Sequence, residues 1–289
     1  MPHLRFKKSL KLSLVASSLI FSQVVFAQNS SKYLETNERA KVANELYASL
    51  HGNKKFFLED TDPQMSALMK KYLYADISSQ SSLSREHQEL VTAVTLTTLQ
   101  VNDNLLEHAF VEALNAGVAP LKLREAVYQC VPYIGIAREI MALESLNKIF
   151  KAKNIKLPLE DAATTSDEDR FTKGLELQVG TYGERIVKMR ESTPDNQKHL
   201  QDDLSAFCFG DIYTRQGLSL KEREILTVAA IGTIGEEPQF KSHIRGLIAA
   251  GGSQNEVIGV ITSINPYLGF PRTLNLMKYA NEVFQGLNK

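Results

Sequence analysis

Leu218-Ser219-Leu-Lys-Glu-Arg-Glu-Ile-Leu-Thr-Val-Ala-Ala230 repeats, with altered side chains, a stretch found earlier in the chain, Leu83-Ser84-Arg-Glu-His-Gln-Glu-Leu-Val-Thr-Ala-Val-Thr95. Working outward at an offset of 134 to 135, Asp76-Ile77 falls on Asp211-Ile212, His108 on His243 and Gly117 on Gly251. Pro132-Tyr133 and Gly135 fall on Pro266-Tyr267 and Gly269, with a single-position slippage between the histidine and the glycine. Ordered self-similarity at a fixed period is the mark of a duplicated structural unit.

Within each copy the periodicity is helical. Glu224 shares a helical face with Val228 and Ile231, and Glu89 with Ala93 and Leu96. Ser219 with Glu222 and Ser253 with Glu256 have the spacing of capping boxes, and Pro120 suits a first helical position. Gly117 and Gly251 suit helix ends, while the Val131-Pro132 and Asn265-Pro266 steps are expected to interrupt the helices before them. The spacing predicts helices at about 37–50, 63–76, 85–100, 103–116, 120–131 and 137–150 in copy one. In copy two it predicts them at about 168–190, 194–208, 220–234, 237–250, 254–265 and 271–286. The expected fold is all-α, with two tandem helical domains at 28–152 and 167–289 joined by an irregular linker at 153–166.

Residues 1–27 read differently. Arg5, Lys7, Lys8 and Lys11 precede an apolar stretch interrupted by Ser17, Ser18, Ser22 and Gln23, which ends in Val25-Phe26-Ala27. This is the pattern of a cleaved secretory signal peptide, too short to span a bilayer with ease, so an exported protein, periplasmic or secreted, is expected. Its loss removes four basic and no acidic residues from a balanced 33 and 33, leaving 29 against 33, a net charge of −4. No basic surplus remains to bind nucleic acid or anionic lipid, and no stable membrane insertion is expected after cleavage. With 43% apolar and 23% charged residues the chain has an ordinary globular balance. Two cysteines, Cys130 and Cys208, are too few for a disulfide framework; they read as buried thiols, or as a pair with each other.

The chemistry-bearing residues centre on the repeated carboxylate. A Glu aimed at a core must be paired, hydrogen-bonded or held protonated. Glu224 precedes His243 by the same sequence interval that separates Glu89 from His108. A carboxylate that orients an imidazole serves acid/base chemistry, and it serves equally as a structural polar lock between two helices. Arg215, Arg245 and Arg272 each read singly as surface charges; together near the Glu224/His243 pair they would favour a carboxylate-bearing substrate. Phosphate loops, His-Glu-x-x-His, Gly-x-Ser-x-Gly and cysteine-rich zinc patterns are absent from the sequence. His87 and His108 are too isolated to suggest a metal, and His51 and His199 read as surface histidines.

The run Phe209-Gly-Asp-Ile-Tyr-Thr-Arg-Gln-Gly-Leu-Ser-Leu-Lys-Glu-Arg-Glu-Ile-Leu-Thr-Val-Ala-Ala230, with Ser242-His-Ile-Arg-Gly246 and Asn265-Pro-Tyr-Leu-Gly-Phe-Pro-Arg272, resembles the carboxymuconolactone decarboxylase family. Copy one resembles it more loosely, through Glu89-Leu-Val-Thr-Ala93, His108 and Pro132-Tyr-Ile-Gly135. The resemblance implies an alkyl hydroperoxidase D-like helical fold and a homo-oligomer, a trimer of two-domain chains mimicking a hexamer. It also implies cofactor-free, metal-free decarboxylation or isomerisation of a small carboxylate or lactone. Proton transfer would then fall to Glu224 and His243, with Glu89 and His108 as their copy-one counterparts, and substrate binding to Arg215, Arg245 and Arg272. The superfamily's thiol peroxidases use Cys-x-x-Cys-x-x-x-His. The matching positions here are Glu236 and Gln239, and Val101 and Asn104, so an antioxidant peroxidase is disfavoured. A non-catalytic ligand-binding or scaffold protein stands as the alternative to a lyase.

Overall fold

The computed structural model describes residues 36–287, so the expected export segment lies outside the described residues. Every regular element among the described residues is helical. Copy one contains α1 (Thr36–His51), α2 (Pro63–Lys71), which runs into a π-helical segment (Tyr72–Ile77), then α3 (Arg85–Leu99), α4 (Asp103–Asn115), α5 (Pro120–Tyr128) and α6 (Ile136–Ala152). Copy two contains α7 (Arg170–Tyr182), α8 (Glu184–Ser192), α9 (Lys198–Asp203) running into a second π-helical segment (Leu204–Tyr213), then α10 (Leu220–Ile234), α11 (Glu237–Ala249), α12 (Gln254–Leu268) and α13 (Phe270–Leu287). The predicted helices are present, with three local differences. Gly183, at φ 69°, breaks the expected 168–190 helix in two. The expected 194–208 helix is a short regular stretch that widens into π-helix and extends to Tyr213. Pro266 lies inside α12, which ends only at Gly269; so close to the C-terminus one missing N–H is tolerated.

Local capping follows the sequence. The Ser219 hydroxyl accepts from the Glu222 amide at 3.3 Å and the Glu222 carboxylate accepts from the Ser219 amide at 2.8 Å. Ser253 and Glu256 close the start of α12 in the same way, at 3.1 and 2.8 Å. Replacing such a cap costs about 1 kcal/mol.

The two copies share one core. α3 and α10, whose side chains are buried almost throughout, pack against each other at its centre. α12 of copy two crosses onto α3 and onto the first π-helical segment, so each copy completes the other. Leu90, Leu96, Leu226, Ile244 and Leu247 belong to a single continuous apolar cluster. Burying each such side chain contributes roughly 1.5–3 kcal/mol. The 153–166 stretch is irregular and is no loose tether: Ala162 is buried and its carbonyl accepts from the Gln216 amide at 2.8 Å.

One pair of contacts sets the register of the first helices. Arg39 of α1 grips Asp76 of the first π-helical segment through Nε at 2.8 and 2.9 Å. Arg170 of α7 grips Asp211 of the second at 2.8 and 2.9 Å. In copy two this packing is backbone against backbone, since a Cβ on Gly174 would lie 2.0 Å from the Ser205 carbonyl oxygen. The equivalence of Arg39 with Arg170 aligns α1 and α7 at an offset of 131, which makes the helix-final residues His51 and Tyr182 equivalent as well.

Candidate functional site

In copy two α10 delivers Glu224 and α11 delivers His243 to one point, and α7 adds Tyr182. His243 Nδ1 lies 2.9 Å from Glu224 Oε2. The Tyr182 hydroxyl donates to Glu224 Oε1 at 2.7 Å and stands 2.7 Å from His243 Nδ1. Glu224 is 0% exposed, a burial tolerable for a carboxylate only with such partners. With the tyrosine proton committed to Oε1, Nδ1 carries the imidazole proton toward Oε2, and Nε2, which bonds to no other described residue, is left with its lone pair. The His243 side chain is 12% exposed, so the ring is not sealed in the core as Glu224 is. Burial pushes the Tyr182 hydroxyl well above the usual tyrosine range, with the Glu224 charge adding to it, which keeps it a donor.

Gly246 makes the arrangement possible. A Cβ there would lie 2.8 Å from Glu224 Oε2 and 2.9 Å from the Tyr182 hydroxyl. Tyr133 of copy one closes the site from the other side, its ring edge-on to His243 at 5.8 Å between centroids. Its hydroxyl joins Tyr213 at 2.9 Å, and Tyr213 joins Thr227 at 2.7 Å. Sequence reasoning does not single out Tyr182, Tyr133 or Tyr213. The equivalence of Tyr182 with His51, each followed by a left-handed glycine, is the signal that marks its position.

The arginines do not converge on this site. Arg215 is held by Glu125 of copy one, Nε to Oε2 at 2.9 Å and Nη2 to Oε1 at 3.1 Å, beside fully buried Arg223. Arg245 is exposed and bonds the Lys241 carbonyl; two positions along a helix from His243 is about 200° around the axis, the opposite face. Arg272 is exposed and bonds the Ile234 carbonyl, roughly 15 Å along α10 from Glu224. The expected substrate-binding set of Arg215, Arg245 and Arg272 is therefore corrected: one holds the copies together and two face outward.

Copy one is built differently. No hydrogen bond joins Glu89 to His108; Glu89 accepts from Arg85 at 3.0 Å, and burial, with the Glu112 charge adding to it, pushes its carboxyl up to about 8. The reason is a helical phase difference. Buried Leu106, Phe110 and Ala113 of α4 match Phe240, Ile244 and Leu247 of α11 at an offset of 134. His243 thus replaces Ala109, His108 replaces Ser242, and Glu112 replaces Gly246. A single-position slip turns a side chain by about 100°, so His108 points elsewhere. It stacks on His51 at 4.0 Å, accepts or donates at 3.3 Å with the Tyr74 hydroxyl, and burial pushes its imidazole down to about 4. His51, expected at the surface, is 7% exposed. Beside this cluster lies a cavity of about 440 Å³ lined by Phe56, Phe57, Leu105, His108, Glu112 and, from copy two, Pro266 and Tyr267.

Cys130 and Cys208 are both buried and free, not joined to each other. Burial pushes the Cys208 thiol up to about 12 and Cys130 well above the usual range, the reverse of what a peroxidatic thiolate requires.

Comparison with known proteins agrees with the duplication. The model of the carboxymuconolactone decarboxylase family matches residues 63–148 and again 198–282. A 4-carboxymuconolactone decarboxylase of Acinetobacter baylyi is 30% identical over 123 residues, 42% of this chain and 92% of that protein. A 15.0 kDa protein of Paracoccus denitrificans is 31% identical over 84 residues, 28% of this chain and 63% of its own. A crystal structure described as a putative gamma-carboxymuconolactone decarboxylase subunit from Burkholderia xenovorans covers 86% of this chain and 98% of its own, at 18% identity and a TM-score of 0.49. With both copies matched by the same family model, this chain belongs to the carboxymuconolactone decarboxylase family as a tandem, all-helical member.

Proposed function

We propose that copy two is a cofactor-free acid/base site that decarboxylates or isomerises a small carboxylate or lactone, and that His243 Nε2 is the atom that moves the proton. The observation that supports this is the Tyr182, Glu224 and His243 triad: a buried carboxylate fixes the imidazole through Nδ1 and leaves Nε2 unbonded on a partly exposed side chain. In a decarboxylation the C–C bond to the leaving carboxylate breaks, carbon dioxide departs and the electron pair spreads into a dienolate. Nε2, whose lone pair first takes a proton from solvent, gives that proton to carbon, which returns the ring to its neutral form. Glu224 stabilises the imidazolium and Tyr182 holds Glu224 in place. The same groups carry an isomerisation, with Nε2 first taking and then returning the proton.

The lactone named for the Acinetobacter relative is the first substrate to try, followed by related lactone acids and keto acids. Removing a positioned acid/base group typically lowers turnover 10²–10⁴-fold. His243→Asn and Glu224→Gln are expected to fall in that range, and Tyr182→Phe by about tenfold. Undiminished turnover of a substrate by His243→Asn would reject the reading. Loss of thermal stability without any effect on a reaction would favour the scaffold alternative.

A further inference from the structure

We propose that His51, His108 and Glu112 of copy one hold a divalent transition-metal ion in the wall of the copy-one cavity, a site separate from the copy-two triad. One ligand atom from each of the three residues lies within 4.8 Å of the other two. The His51 side chain is 1% exposed, and its Nε2 has no hydrogen-bond partner while standing 3.6 Å from Glu112 Oε1. A buried ring nitrogen left unsatisfied is costly, and an ion at that point would satisfy it. The 3.6 Å separation is close to the edge of a tetrahedron with bonds of about 2.1 Å. The two rings, stacked 11° from parallel, turn out of their stack on binding so that both in-plane lone pairs meet one ion.

Two imidazole nitrogens and one carboxylate oxygen suit zinc, iron(II), cobalt or manganese rather than calcium or magnesium, and they leave coordination positions open. His108 and Glu112 face the cavity, so an open position would meet an oxygen-bearing small molecule held there. His51 and His108 also line a surface cleft with Lys54 and Glu107 on the other side, which provides a path for the ion. Copy two has no such set: Tyr182, Ser242 and Gly246 stand at the equivalent positions. The three ligands are therefore particular to copy one and are not part of the shared scaffold.

The test is titration of untagged, chelator-treated protein with Co²⁺ and Zn²⁺, followed by calorimetry and visible absorption. The proposal expects one ion per chain, a cobalt absorption band, a raised melting temperature and at least tenfold weaker binding in His51→Asn and in Glu112→Gln. Binding is expected to be unchanged in His199→Asn, which alters an exposed histidine. If His51→Asn does not fold, counting the imidazoles coupled to the metal by pulsed paramagnetic resonance decides on the wild-type protein: two support the site and fewer overturn it. Absence of binding at micromolar metal, or full affinity in Glu112→Gln, would also overturn it.

Discussion

His51 and Tyr182 occupy the same place in the two copies, each the last residue of its copy's first helix and each followed by a left-handed glycine, Gly52 at φ 63° and Gly183 at φ 69°. From that place Tyr182 binds Glu224 and His243, whereas His51 stacks on His108 and approaches Glu112. One duplicated scaffold thus presents two side-chain arrangements, and the residues around each position determine which.

Gly246 separates the two arrangements. An alanine there gains about 1 kcal/mol of helix propensity but places its methyl against Glu224 and Tyr182. Gly246→Ala is expected to lower turnover at least tenfold while melting within a few degrees of the parent. Parent-like kinetics would show that the close packing around the triad is dispensable.

Glu125 joins the copies. Fully buried, it accepts from Arg215 and Arg124 and lies 3.6 Å from fully buried Arg223. Glu125→Ala leaves Arg223 and partly buried Arg215 without their carboxylate, and a loss of about 3–5 kcal/mol is expected in urea unfolding. A loss below about 1 kcal/mol would mean that water or Gln129 compensates for the carboxylate.

Glu139 is buried without a hydrogen-bond partner, and burial pushes its carboxyl up to about 8. The folded state keeps a proton that the unfolded chain releases near the ordinary carboxylate value. Its contribution is therefore full below about pH 4.5, is lost as pH rises through about 8, and is level above that. Glu139→Gln is expected to raise stability at pH 9 relative to the parent and to flatten the slope between pH 5 and 8, read by urea unfolding at each pH. An unchanged slope would place a partner on this carboxyl.

Exposed apolar side chains recur at equivalent points of α6 and α13: Ile136 at 67% with Phe270 at 62%, and Ile140 at 52% with Leu274 at 65%. The repetition of the patch on both copies fits further copies of this chain as its cover. Sedimentation of the parent is expected to show an oligomer, and of Ile140→Asp combined with Leu274→Asp a monomer. A monomeric parent would contradict this.

Much of this is readable from sequence because the duplicated helices keep strong local signals: the capping boxes at Ser219 and Ser253, the apolar periodicity around Glu224, and the recurring Pro-Tyr step. The Glu224 and His243 pair is readable for the same reason. What escapes depends on register between helices. Aligning His108 with His243 preserves residue identity at the cost of helical phase, and it hides the substitution of Glu112 for Gly246. Tyr182 escapes because α7 aligns at 131 rather than 135. Arg215 carries no hint of Glu125, which lies far away in the sequence and in the other copy.

The protonation of the His243 ring tests the account most directly. Long-range ¹⁵N–¹H correlation spectra of the neutral ring should show the proton on Nδ1, facing Glu224, with Nε2 unprotonated, and should lose that preference in Glu224→Gln. A neutral ring carrying its proton on Nε2 would contradict the proposed role of His243.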